Sequence, residues 1–135
     1  MANQLSSITA REYRDLDLNF NIHPIRKDIN KHVGDMAVIY AVKNLIMLNH
    51  YESPFQPDKG SNVRRLLFEP LDNITATALE REIRQTITNY EPRVSVKNIT
   101  VNADPDNNAF QVTLEFFILN RSDPVIVNVT LSRIR

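Results

Sequence analysis

Apolar residues recur along this chain in two rhythms, one helical and one alternating, and each predicts its own elements. Leu79, Ile83, Ile87 and Tyr90 fall at helical spacing, with Glu80, Arg81, Glu82, Arg84 and Gln85 between them. This predicts an amphipathic helix over 76–90. Thr77 with Glu80 three residues later forms a capping box at its start. Pro92 stops it, because proline lacks an N–H and pushes Glu91 out of helical geometry. Three alternating runs follow. Val94, Val96, Ile99 and Val101 alternate with one slip at Lys97-Asn98, as a bulge would produce. Phe110, Val112, Leu114, Phe116 and Ile118 alternate cleanly, and so do Val125, Val127, Val129 and Leu131. Asp104-Pro105-Asp106-Asn107-Asn108 and Asn120-Arg121-Ser122-Asp123-Pro124 are the connecting turns.

The first half is less regular. Leu16, Leu18, Phe20 and Ile22 alternate with Asp15, Asp17, Asn19 and Asn21, the pattern of a half-buried strand or extended arm. His23-Pro24 breaks it, and 25–33 is ambiguous. Asp35 is placed to cap a helix running to about Leu48, with Val38, Ile39, Ala41, Val42, Leu45 and Ile46 on its buried side. Ser53, Pro54, Pro57 and Gly60 make 49–60 an ordered loop, expected to be anchored by Phe55. A short helix is expected near 62–68, ended by Pro70, with Phe68 in the core. The whole reads as an α+β chain, an N-terminal strand and helices packed on a C-terminal three-stranded antiparallel β meander. Residues 1–14 are polar and aperiodic and read as an arm that orders on assembly, leaving 15–135 as a single domain.

Composition narrows the function. Sixteen basic and sixteen acidic side chains cancel, and neither half is a charged tail, which argues against a nucleic-acid footprint. Cysteine is absent, so disulfides and cysteine-based metal or redox chemistry are excluded. The N-terminus lacks a basic segment followed by an apolar run, and Lys43 and Asn44 interrupt the longest apolar helix, so neither a secretion signal nor a membrane span is expected. His23, His32 and His50 lack the close helical pairing of a zinc motif and read as surface or packing residues. Two glycines, Gly34 and Gly60, are too few for a phosphate loop. No catalytic, cofactor or metal residue is therefore expected.

Two features point to binding. Glu91 and Arg93 flank Pro92 where helix turns into strand, positioned for a local ion pair or for contacts to a partner. The last strand, with Val125, Val127, Asn128, Val129 and Leu131, lies near the chain end, where a sheet edge can accept a partner strand. Arg133 and Arg135 are equally placed to guard that edge.

The order of motifs is more specific than any one of them: Tyr13-Arg14-Asp15-Leu16-Asp17-Leu18-Asn19-Phe20, Ser53-Pro54-Phe55-Gln56-Pro57 and Gly60, Leu67-Phe68-Glu69-Pro70, then Tyr90-Glu91-Pro92-Arg93. Over residues 13–131 it resembles the small baseplate wedge proteins, or sheath initiators, of contractile phage tails, a family shared with type VI secretion baseplates. The resemblance implies a non-enzymatic structural protein of the virion tail baseplate, assembled in the bacterial host cytoplasm, in sixfold arrangement. Its implied partners are tail-sheath subunits and neighbouring wedge proteins, with no nucleic acid, membrane or cofactor. Glu91, Pro92 and Arg93 would dock on the wedge core, and the strands 110–119 and 125–131 would template sheath polymerisation by β-augmentation. The segment 13–20 and the loop order lean toward a phage over a secretion apparatus or tailocin. Where the family pattern carries an arginine-containing loop before Pro54, this chain has Glu52-Ser53.

Relatives in this family have also carried a lysozyme-like label, which makes glycoside hydrolysis of peptidoglycan the alternative. That chemistry needs two carboxyls flanking a sugar, and Glu52, Asp58 and Glu69 are the candidates. The chain has no tryptophan for sugar stacking. A third reading is an independent binding module unrelated to tails.

Overall fold

The computed structural model describes residues 13–17, 19–29 and 31–133, in the order β1 (Arg14–Leu16), β2 (Lys31–Val33), α1 (Asp35–Met47), α2 (Val63–Leu66), α3 (Asn73–Tyr90), β3 (Val94–Asp104), β4 (Ala109–Ile118) and β5 (Pro124–Ser132). Most of the expected arm, and Leu18, lie outside the described residues. The chain forms two compact units, one up to Ala37 and one from Val38 onward.

In the first unit β1 and β2 pair antiparallel, with Asp15 opposite His32. The alternation over 16–22 does not become one strand. Asp17 takes the Asn19 N–H on Oδ1 at 2.9 Å and the Asn21 amide on Oδ2 at 3.1 Å, and Phe20 adopts φ 52°. A short side chain that satisfies the backbone two residues on favours a turn over a ladder. Asp17 is buried, while Leu16, Phe20 and Ile22 are exposed. The ambiguous stretch resolves into a turn, closed by Lys27 N–H to His23 O at 2.9 Å, and then β2.

The second unit holds the larger core. Val38, Val42, Leu45 and Ile46 of α1 are buried, with Ile39 and Ala41 half-buried. Asp35 is the first residue of α1. Helix α3 starts at Asn73, earlier than the Thr77–Glu80 pattern predicts, because Asp72 is its cap and accepts the Thr75 N–H at 2.7 Å. The Thr77 hydroxyl donates instead to Asn73 O, so no capping box forms. Leu79, Ile83 and Ile87 are fully buried on the face of α3 that lies against β3. Each contributes about 1.5–3 kcal/mol by leaving water.

The sheet has strand order β3-β4-β5, all antiparallel. The expected slip is real, a register shift between Val96 and Asn98. Central β4 turns Phe110, Val112, Leu114, Phe116 and Ile118 inward, and Gln111, Thr113 and Glu115 to the outer face. Among the described residues no helix is long and apolar enough to cross a membrane.

Candidate docking surfaces

At the end of α3, Glu91 N–H still bonds Ile87 O at 2.9 Å before Pro92 turns the chain into β3. The Arg93 guanidinium then folds back on the Glu91 carboxylate, Nε to Oε1 at 2.7 Å and Nη2 to Oε2 at 2.8 Å. Such a two-point fork is the strong form of an ion pair. Glu91 is buried, Arg93 half-buried and Pro92 exposed. The junction is also tied to the end of β4, since Leu119 N–H donates to Arg93 O at 2.8 Å. Both carboxylate oxygens of Glu91 thus face Arg93, and Pro92 is the exposed member of the motif.

The second surface is the free side of β5. Its pairing with β4 runs unbroken from Ala109 opposite Ser132 to Phe117 opposite Pro124. Val127 and Leu131 are buried, whereas Val125 and Val129 are half-buried on the same inner face. Asn128 lies on the outer face and accepts the Thr113 hydroxyl at 3.1 Å. Ile126, on that outer face, is 64% exposed. The other sheet edge, β3, carries the bulge, which twists an edge away from pairing. Arg133 N–H closes the end of β5 by donating to Asn108 O.

A third surface was legible only as a loop. A parallel bridge between Asn49 and Ser61 closes residues 49–61, and Ser61 Oγ donates to Ile46 O at 2.7 Å. Inside it, Tyr51 N–H bonds Pro57 O at 2.8 Å, and Glu52 takes both the Asn49 N–H and the Asn49 side-chain amide, at 2.9 and 2.8 Å. The Tyr90 hydroxyl, 32 residues away, donates to Asp58 O at 2.6 Å. Gly60, at φ 149°, has no room for a Cβ, which would sit 2.6 Å from the Asn49 carbonyl carbon. The expected anchor is not one, for Phe55 is 96% exposed. Phe68 is likewise 57% exposed, and its neighbour Leu67 fills the core instead. The hydrogen bonds of the loop close without any apolar insertion, so Phe55 is left at the surface. An open cleft of about 660 Å³ adjoins the loop, with Asn49, His50, Tyr51, Asp58, Arg65 and Tyr90 in its walls.

The candidate carboxylates differ in their surroundings. Glu52 is held below the usual carboxylate range by the backbone N–H and then the amide of Asn49, the reverse of what a general acid needs. Asp58 and Glu69 are exposed. The histidines serve local roles: His23 Nδ1 faces the Ile25 and Arg26 N–H groups, His32 lies 3.4 Å from Asp17, and His50 Nδ1 lies 3.0 Å from Asp58 O. Among the described residues no three metal-ligating side chains cluster.

A family model described as Baseplate wedge protein gp25 matches residues 32–122. The baseplate wedge protein gp25 of Enterobacteria phage T4 is 26% identical over 113 residues, covering 84% of this chain and 85% of that protein. Among solved structures, a chain of the sixfold-symmetrised anti-feeding prophage baseplate superposes with a TM-score of 0.71 at 17% identity, over 83% of this chain and 90% of that one. A chain from Geobacter sulfurreducens, described as a candidate tail lysozyme, superposes at 0.65 and 14% identity, over 73% of this chain and 89% of that one. With the family model spanning most of its length, this chain belongs to the gp25 family of baseplate wedge proteins.

Proposed function

We propose that this protein is a structural component of a contractile-tail baseplate that docks on the wedge core around Glu91, Pro92 and Arg93, and starts the sheath by lending β5 to a sheath strand. Family membership supports the wedge role, and the likeness to a sixfold baseplate chain fits a sixfold arrangement in the virion. The observation that carries the templating step is the contrast between the two sheet edges. Edge β3 is bulged, whereas β5 pairs regularly along all nine residues and holds neither charge nor internal proline. An added strand would cover Val125 and Val129 and take its register from the alternation of Val127, Asn128 and Leu131. Fixed strand edges then set the position of the first sheath ring, which nonspecific adhesion cannot do.

The test is sheath growth on baseplates carrying Ile126→Lys. That side chain is exposed, so the fold is expected to hold, while a charge on the edge strand opposes pairing. Normal wedge incorporation with no sheath growth is the expected result. Sheath growth at the parental rate would overturn the templating step.

Peptidoglycan hydrolysis draws on the likeness to the Geobacter chain, a likeness of fold. Glu52, held below the usual carboxylate range by Asn49, is unsuited to be the general acid of that reaction. Clearing of a peptidoglycan suspension by the purified chain, abolished in Glu52→Gln, would favour the enzyme over the structural role.

A further inference from the structure

We propose that loop 49–60 is a preformed docking finger, in which Phe55 and Tyr51 enter an apolar socket on a neighbouring wedge protein while Arg65, at the base of the finger, meets an acidic side chain beside that socket. This rests on the wedge reading but involves neither the Glu91–Arg93 junction nor β5.

A single exposed phenylalanine is ordinary on a protein surface. What sets Phe55 apart is the hydrogen bonding that keeps its loop in one shape. Glu52 clasps Asn49, Tyr51 N–H reaches across to Pro57 O, and Tyr90 pins Asp58 from helix α3. Tyr51 sits at φ 69°, a left-handed conformation that a bulky side chain rarely adopts, and the residue is 82% exposed. None of these contacts needs either ring, and neither ring fills the core. Both stand on a loop whose backbone is already shaped, so docking has only the rings themselves left to order, which favours aromatic anchors at an interface.

Charge decides the partner's chemistry. Glu52 keeps its negative charge and has Arg64 as its electrostatic neighbour, so the charges left around the finger are Lys59 and Arg65 against Asp58. Arg65 lines the cleft beside Tyr51 and makes no ion pair among the described residues. Five donors in a fixed fork suit a carboxylate. The socket therefore belongs to a protein segment that combines apolar and acidic residues, and Asp58 sets one wall that a backbone N–H of that segment can satisfy.

The experiment measures binding of the full chain to the purified neighbouring wedge proteins of its own particle, for the parent, Phe55→Ser, Arg65→Glu and Arg65→Lys. Phe55→Ser and Arg65→Glu are each expected to weaken binding by about thirtyfold, the size typical of an interface anchor. Arg65→Lys should retain more affinity than Arg65→Glu, and the melting temperatures should stay at the parental value because these side chains are exposed. Parental affinity in both Phe55→Ser and Arg65→Glu would overturn the finger and leave the wedge role standing. Failure of the parent itself to bind would overturn the wedge reading beneath it.

Discussion

Arg93 closes on Glu91 with two nitrogens on two oxygens, 2.7 and 2.8 Å apart, at a point where Glu91 is only 6% exposed. The pair therefore belongs first to the junction between α3 and β3. Arg93→Ala would strand a buried carboxylate, at a cost of about 1–3 kcal/mol. Thermal melting should show a clear loss for Arg93→Ala, partly recovered in Glu91→Gln/Arg93→Ala, where the stranded charge is gone. An Arg93→Ala chain that melts with the parent would show that the fork contributes nothing to the fold. Docking at this motif is then best probed at the exposed Pro92, whose ring is not part of the fork.

Gly60 is the closure of the finger. Any side chain there meets the Asn49 carbonyl and the His50 nitrogen at 2.6–2.7 Å, and φ 149° is a backbone region reserved for glycine. Gly60→Ala should cost about 1–3 kcal/mol, the range for a residue forced into such a conformation. It should also raise hydrogen exchange at Tyr51 and Ser61, whose N–H groups bond Pro57 O and Leu48 O. Unchanged exchange at both amides would mean that the loop closes without Gly60.

Acid sensitivity follows from four carboxylates. Asp17 is lowered chiefly by the Asn19 N–H, Glu52 by the Asn49 N–H, Asp72 by the Thr75 N–H and Asp104 by the Asn107 side chain. A folded-state pKa below the unfolded one stabilises the fold above the unfolded value, and that contribution is lost as pH falls through the folded value. Stability should thus be level near neutrality and decline below about pH 4, the ordinary carboxylate range. Asp72→Asn keeps a capping oxygen without a titrating group, so its denaturation midpoint should fall less steeply with acid. An acid limb as steep as the parent's would remove Asp72 from this account.

Much of the fold was readable from residue order. The inward series of β4 and the slip at Lys97-Asn98 were visible because alternation has a fixed period and a bulge shifts it by one. Helix α3 was visible through Leu79, Ile83 and Ile87, although its start was not. Asp72, the true cap, precedes the periodic stretch, and Thr77 only imitates a capping box. The strand or extended arm expected from the alternation is a strand only as far as Leu16, because Asp17 then bonds Asn19 and Asn21, a local competition that apolar spacing does not reveal.

At the docking surfaces, the Glu91–Arg93 pair was legible because its partners are two residues apart. The finger was not, because its geometry comes from Tyr90 meeting Asp58 and from Ser61 meeting Ile46, contacts set by tertiary structure. Phe55 and Phe68 were expected inside on hydrophobicity, yet burial depends on which face an element turns inward.

The central claim is that β5 takes up a partner strand, and the most direct measurement is hydrogen exchange along Pro124–Ser132 in baseplates before and after sheath addition. In an edge strand, alternate N–H groups bond β4 and the others face outward, so only the outward set can gain a partner. The account predicts that alternate β5 amides become protected when sheath is added, while β3 amides stay as they were. Sheath assembly with β5 exchange unchanged would contradict it.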